Sequence, residues 1–364
     1  MSQIISPAKP ASSKTLYSGK LQARHDPRFF IVSTLTRMRI SPLLCTLGCA
    51  LLLNACHAMP LADSAASAKQ VRIDEASGLT QSVLHPALYW THNDSRNFFD
   101  RQPTEPVLFA IDAQGRLHGE LWLEGLKPYD WEAISHFKQR GRAYLLIADI
   151  GDNRARRSKG IRLHAVQEPE NIQGKISRKP AWSLELRYPD GARDAEAIAV
   201  DEQENAIYIL SKRDEQPQLY RAELPHARNS SQMLRLLGQI PPLNAPLETT
   251  EPGDLRVLPF THQPVDMAFA PDRHEVAVLS YAHIYIFARS SQQSWLEALQ
   301  GTPHVIHLPG ARQYEGLSYS QNGQALLVVR ESSKHDGTAA VPILKLERPG
   351  TLTTQRPPPA PLAY

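Results

Sequence analysis

Asp130-Trp-Glu-Ala-Ile-Ser135 opens a hairpin that continues through Leu145-Leu-Ile-Ala-Asp-Ile-Gly-Asp-Asn153. Weaker copies follow the same pattern at Asp74-Glu-Ala-Ser-Gly-Leu79, Asp194-Ala-Glu-Ala-Ile-Ala-Val200, Val265-Asp-Met-Ala-Phe-Ala270 and Tyr314-Glu-Gly-Leu-Ser-Tyr319. Each is a carboxylate followed by small and apolar residues, recurring every ~50–70 residues, and self-similarity at a roughly fixed period marks a repeat architecture.

Around each copy the chain reads as short strands between turn residues. The first unit is expected at 75–81, 87–92, 107–112 and 119–123, the second at 131–137, 143–149, 161–166 and 182–187, and the third at 195–201, 206–212, 218–222 and 234–239. The fourth runs through 264–270, 275–280, 283–287 and 304–308, with a helical turn expected at 292–299. Ala113-Gln-Gly115, Pro271-Asp-Arg273 and Gln321-Asn-Gly323 supply the hairpin turns. Four strands per unit is the pattern of a propeller blade. The fifth unit offers three strands, 315–319, 325–330 and 341–346, and Gln70-Val-Arg-Ile73 is placed to add the fourth and close the ring. The expected fold is therefore all-β, a single β-propeller of four-stranded antiparallel blades spanning 70–348, with five blades. Six blades remain the alternative, because the insertion at 241–261 contains a strand-like Leu255-Arg-Val-Leu258. A two-sheet sandwich is the reading outside the propeller class.

The start of the chain carries an address. From Met38 a short basic flank precedes an apolar run and the small residues Leu53-Asn-Ala-Cys56, the order of an export signal. Leu53-Asn-Ala-Cys56 resembles the bacterial lipobox, which implies cleavage before Cys56 and a lipid anchor on it. Simple secretion after cleavage at Ala55 or Ala58, or an uncleaved helix, are the other readings. Residues 1–37 read as a disordered extension or a mis-assigned start, 56–69 as a tether and 349–364 as a Pro-rich tail. His57 stands where an inner-membrane retention signal commonly has Asp, so lipoprotein resemblance implies the outer membrane.

Cys45, Cys49 and Cys56 are the three cysteines, so the body has no disulfide, thiol nucleophile or Cys-based zinc site. The first 56 residues hold seven of the 40 Lys and Arg and one of the 37 Asp and Glu, leaving 33 basic against 36 acidic residues and a net charge of −3. That balance argues against a nucleic-acid partner.

In an antiparallel hairpin the start of the first strand and the end of the second share one end. If the first strands line a central channel, one mouth collects Glu75, Asp130, Glu132, Asp194, Glu196, Asp266 and Glu315 with His92, Asp94, Asp149, Asp152, Arg154, Lys212, Arg213 and Arg330. Oxygen-rich clusters suit a hard cation, Ca2+ or Mg2+, with Glu132, Asp149, Asp152 and Glu196 as candidate ligands. Arg154, Lys212, Arg213 and Arg330 are candidates for holding a small anionic ligand, alongside Glu75, His92, Asp94, Asp194 and Glu315 in the wider site. The competing reading makes these carboxylates latches that accept backbone N–H groups between blades. His92 beside Asp94 reads as an acid-base pair or as a turn histidine. Trp90, Trp131 and Trp182 read as packing or as a sugar platform. There is no Gly-x-Ser-x-Gly, no phosphate-binding glycine loop and no His-Glu-x-x-His.

Taken together, Glu75-Ala-Ser-Gly-Leu79, Trp90-Thr-His-Asn-Asp94, Asp130-Trp-Glu-Ala-Ile134, Gly151-Asp-Asn-Arg154, Asp194-Ala-Glu-Ala-Ile198 and Tyr314-Glu-Gly-Leu317 resemble a family of bacterial exported propeller proteins, itself similar to phytase-like and WD40-like propellers. The phytase likeness implies metal-activated hydrolysis of phosphate esters, but the Asp-Asp-Pro-Ala start of those enzymes is absent. The expectation is a membrane-anchored periplasmic propeller that binds a metal ion, ligand or envelope protein partner at an acidic mouth. A metal-dependent phosphoesterase or other hydrolase, and an envelope scaffold, are the alternatives.

Overall fold

The computed structural model describes residues 73–95, 104–225, 229–247, 260–309, 313–331 and 340–350. The export signal, Cys56, the tether and nearly all of the Pro-rich tail lie outside the described residues, as do positions 70–72 of the expected closing strand and Leu255-Arg-Val-Leu258.

The first blade is built from β1 (Ala76–Gln81), β2 (Leu88–Asn93), β3 (Val107–Asp112) and β4 (Leu117–Leu123). The second uses β5 (Trp131–Gln139), β6 (Arg142–Asp149) and β7 (Ile161–Gln167), then, beyond β8 (Gly174–Arg178), β9 (Trp182–Arg187). β10 (Ala195–Asp201), β11 (Ala206–Ser211) and β12 (Gln218–Glu223), with β14 (Arg235–Gln239) after β13 (Ser230–Met233), form the third. The fourth contains β15 (Pro264–Phe269), β16 (Glu275–Ser280), β17 (His283–Ala288) and, past the short helix α1 (Trp295–Leu299), β18 (His304–His307). β19 (Tyr314–Tyr319), β20 (Ala325–Arg330) and β21 (Ile343–Glu347) complete the fifth, a three-stranded sheet among the described residues.

Five blades follow from how these sheets pack. The inner strands β1, β5, β10, β15 and β19 are neighbours in that cyclic order, and β19 lies against β1. There are five hydrophobic cores, one between each pair of adjacent blades. The last joins Ala76, Leu79, Phe109 and Ile111 of the first blade to Leu327 and Val329 of the fifth. Ile73, the one described residue of the expected closing strand, packs on that core but belongs to no strand. Burial of both faces explains why the central strands read as near-continuous apolar runs such as Val276-Ala-Val-Leu279.

Two strands were missed in the sequence. β8, from the loop within the second blade, adds parallel to β4 on the outer edge of the first blade. β13, from within the third, adds parallel to β9 on the second. The second and third blades thus each lend a strand that covers the edge of the blade before. Trp90, Trp131 and Trp182 are buried in the cores between blades, so the packing reading holds and they form no exposed platform.

Glycines set the closest approaches of the ring. A Cβ on Gly316 of β19 would stand 2.6 Å from the Gly78 carbonyl carbon and 2.8 Å from the Leu79 nitrogen of β1. Gly316→Ala is therefore expected to cost about 1–3 kcal/mol by forcing the fifth and first blades apart. A chemical denaturation midpoint no lower than that of Gly350→Ala, whose added methyl meets nothing within 4 Å, would contradict this account of ring closure.

Candidate functional site

All five inner strands carry a register shift at the same end. It falls between Ser77 and Leu79, Trp131 and Ala133, Ala195 and Ala197, Pro264 and Asp266, and Tyr314 and Gly316. A bulge adds a residue, bends the strand and re-aims a side chain. In three blades the residue at the bulge is a glutamate: Glu132, Glu196 and Glu315. The fourth blade has Val265 at this position. Repeat spacing had set Asp266 in the ring of mouth acids, but the register puts it one residue deeper.

Glu132, Glu196 and Glu315 are buried at the same end of their inner strands. Burial, then Glu196, Asp94 and Asp130, push Glu132 well above the ordinary carboxylate range, with Lys212 pulling it back. Burial, then Glu331 and Glu196, do the same to Glu315. Glu196 and Glu315 sit at the same bulge position of inner strands two blades apart. Glu196 is raised to about 7 by burial and by Asp194 and Asp94, against the pull of Lys212. Glu331, just past β20, is also raised to about 7, by burial and by Glu75 and Asp94. Asp94 acts on all four.

Lys212 is the buried cation of the mouth. Its Nζ pairs with Glu196 Oε1, donates to the Tyr281 hydroxyl at 3.0 Å and lies 5.2 Å from the centre of the Tyr281 ring. Burial alone would lower its pKa, but Glu196, Tyr281 and Glu132 raise it well above the ordinary lysine value. Tyr281 and Lys212 thus fill the sector where the fourth blade has Val265 in place of a glutamate.

Of the four residues expected to hold a metal, Glu132 and Glu196 act on each other at the mouth, whereas Asp149 and Asp152 are bonded elsewhere. Asp149 accepts from Arg157 at 2.8 Å and from the Tyr129 and Asp130 N–H groups at 3.3 Å. Asp152 closes its own turn by accepting from the Arg156 and Arg157 N–H groups at 2.8 and 2.6 Å. Asp194 accepts from the Asp152 N–H at 2.7 Å, a bond between the third and second blades. Asp194 is therefore a latch between blades, whereas Asp149 and Asp152 are taken up within the second blade. Among the described residues, the one group of three possible ligands within 4.8 Å of one another is Asp94, Asp130 and Glu132. A Cβ on Gly151 would stand 2.4 Å from Glu132 Oε1 and 2.8 Å from Asp130 Oδ2, so the second-blade loop is built to pass against these oxygens.

The cations expected to hold an anion are dispersed. Arg154 is exposed on its loop. Arg213 bonds Asp194 at 2.5 Å and Asn153, tying the third blade to the second. Arg330 donates to the Glu331 carbonyl at 3.3 Å. His92 is fully buried with Nδ1 on the Asn93 carbonyl at 3.0 Å and its ring edge-on to Trp131. Burial pulls it down to about 4, so the turn-histidine reading fits and the acid-base pair does not. Glu75 bonds through its backbone to Asp94 and Asn93, beside Glu331.

Asp130 was placed at the mouth in the sequence but not among the metal ligands, and Glu331, Tyr281 and Arg157 were not singled out. Repeat position was a usable signal for Glu331 and Tyr281, since each follows a second strand. Nothing local distinguishes Arg157 from Arg154.

The raised carboxyls make a test of the mouth. Native Glu331 keeps its proton up to about pH 7, whereas the unfolded chain loses it near the ordinary 4.5. Its contribution to stability is complete below the unfolded value and disappears as pH rises through 7. Glu331→Gln should thus be more stable than the wild type at pH 8, by about 1–3 kcal/mol given coupled titration, and equal to it near pH 4.5. Buried histidines cancel in this difference. A gap between the two proteins that is the same at both pH values would show that the cluster is not charged in this way.

No family model matches the chain, and no curated protein matches it. Among solved structures it is similar to Kuenenia stuttgartiensis hydrazine synthase, at 11% identity and a TM-score of 0.39, over 74% of this chain and 83% of that one. At that level the likeness carries nothing about chemistry.

Proposed function

We propose that this protein is a binding propeller whose acidic mouth takes a hard divalent cation, Ca2+ or Mg2+, on Asp94, Asp130 and Glu132. The observation that carries the reading is the meeting of these three carboxylates within 4.8 Å under a loop that Gly151 allows to pass. Oxygen ligands of this kind suit hard cations, and a divalent charge offsets the burial and the repulsion from Glu196, Asp94 and Asp130 that raise Glu132. Binding is favoured over phosphate-ester hydrolysis, because Arg154, Lys212 and Arg213 are exposed or already bonded elsewhere. Envelope attachment through Cys56 is part of the proposal and is supported by the signal-like stretch at 38–55.

Thermal unfolding in EDTA, and then with millimolar Ca2+ or Mg2+, tests it. At a hundredfold excess over Kd the cation contributes about 2.7 kcal/mol, a rise in melting temperature of roughly 5–10 °C for a domain of this size. Glu132→Gln should abolish the rise. An unchanged melting temperature in the wild type would remove the cation and leave the mouth to a protein partner.

A further inference from the structure

We infer that the opposite end of the channel is a second ligand site, which takes a small organic carboxylate. The C-terminal halves of all five inner strands, with the turns that follow, enclose a cavity of about 270 Å3. It lies near the lower end of the ~300–1,000 Å3 usual for small-molecule sites, and an apolar cavity of ~150 Å3 already holds a benzene ring. Its floor is apolar, with Leu79, Ile134, Met267 and Leu317 from four blades.

The polar groups at its rim have the opposite character to the acidic mouth. Lys138, Arg273 and His136 line it, and Glu202 is the single carboxylate that does. That carboxylate already accepts the Lys138 backbone N–H at 2.7 Å. Arg273 is held in place from the fourth blade: Nη1 donates to the Val200 carbonyl at 2.9 Å, and the guanidinium stands 5.7 Å from the Phe269 ring centre. Its distance to Asp201 is 4.0 Å, and Asp201 is occupied by Trp295 at 2.8 Å and the Gln203 N–H at 2.9 Å. The remaining guanidinium donors are available to a ligand. His136 is oriented by Thr80, whose hydroxyl meets Nδ1 at 2.8 Å, leaving Nε2 for a second partner. Burial and the nearby Arg273 and Lys138 charges lower the histidine to about 4, so at neutral pH it is an uncharged hydrogen-bonding group beside a fixed cation. An apolar floor with a guanidinium and an imidazole at the rim matches a carboxylate on a compact apolar body.

The test uses the full chain and a pair of probes that differ in charge, 4-fluorobenzoate and 4-fluorobenzylamine, followed by 19F line broadening. The acid is expected to bind and the amine not to. Arg273→Gln should weaken the acid about ten- to hundredfold. Ser135→Trp, which fills the cavity from the second blade, should abolish binding, with near-ultraviolet circular dichroism of the buried tryptophans reporting an intact fold. Glu132→Gln, at the other mouth, should change nothing, which separates this site from the cation site. Absence of acid binding at 20 mM, equal binding of acid and amine, or binding that survives Ser135→Trp in the folded protein would each overturn the inference.

Discussion

Lys212→Met is expected to destabilise the propeller by about 3–5 kcal/mol at pH 8, because it removes one partner of a buried pair and leaves the other charge uncompensated. The side chain is 4% exposed and balances Glu196 and Glu132 at once. Loss of the cation should be milder at pH 5. Glu196 is already raised to about 7 with Lys212 present, and without it the carboxyl takes up a proton more readily still. Replacing both partners, Lys212→Met with Glu196→Gln, should recover most of the loss, since removing a whole buried pair is often close to neutral. Urea denaturation at the two pH values measures all of this. A single-variant loss below about 1 kcal/mol at pH 8 would mean that Lys212 does not hold the mouth together.

The second large effect is expected at Asp266→Leu. This carboxylate is buried in the channel wall and accepts the Leu317 N–H at 2.6 Å and the Met267 N–H at 2.8 Å, with the Leu79 N–H also bonded to it. Its partners lie on the fourth, fifth and first blades, so one side chain joins the sectors where the ring closes. Inner strands have no neighbour on their channel side, and their buried N–H groups need another acceptor. Leucine supplies none, at a cost of roughly 2–5 kcal/mol for the groups left unsatisfied. Asn should lose less, because its carbonyl oxygen still accepts. The matching readout is hydrogen exchange, where the Leu79 and Leu317 amides should lose protection in the leucine variant. Retained protection would show that Asp266 is not the latch.

Five repeats, the strand positions to within a few residues, and the mouth glutamates were legible because each depends on local pattern. The Asp-x-Glu-Ala-Ile step marks Glu132 and Glu196 directly, and Tyr-Glu-Gly-Leu marks Glu315. Partners were not legible. Asp149 and Asp152 resemble ligands in sequence, yet Arg157 and nearby backbone N–H groups take them up. Asp266 misses the place held by Glu132, Glu196 and Glu315 because Val265 occupies the bulge of the fourth blade, one residue earlier, and a slip of one residue turns a side chain to the other face. β8 and β13 escaped notice because they are short, largely exposed and pair with strands of a different blade, so no apolar face announces them.

What the sequence determined by itself was the repeating blade, the absence of cysteine from the body and the gathering of acids toward one end of each inner strand. These follow from periodicity and composition, which act over a few residues. Tertiary structure alone decided which carboxylates act on one another at the mouth, which are consumed as latches between blades, and that the far end of the channel carries cations over an apolar floor. Those outcomes depend on Coulomb interactions and close packing between blades far apart in the chain, and only closure of the ring brings those groups together.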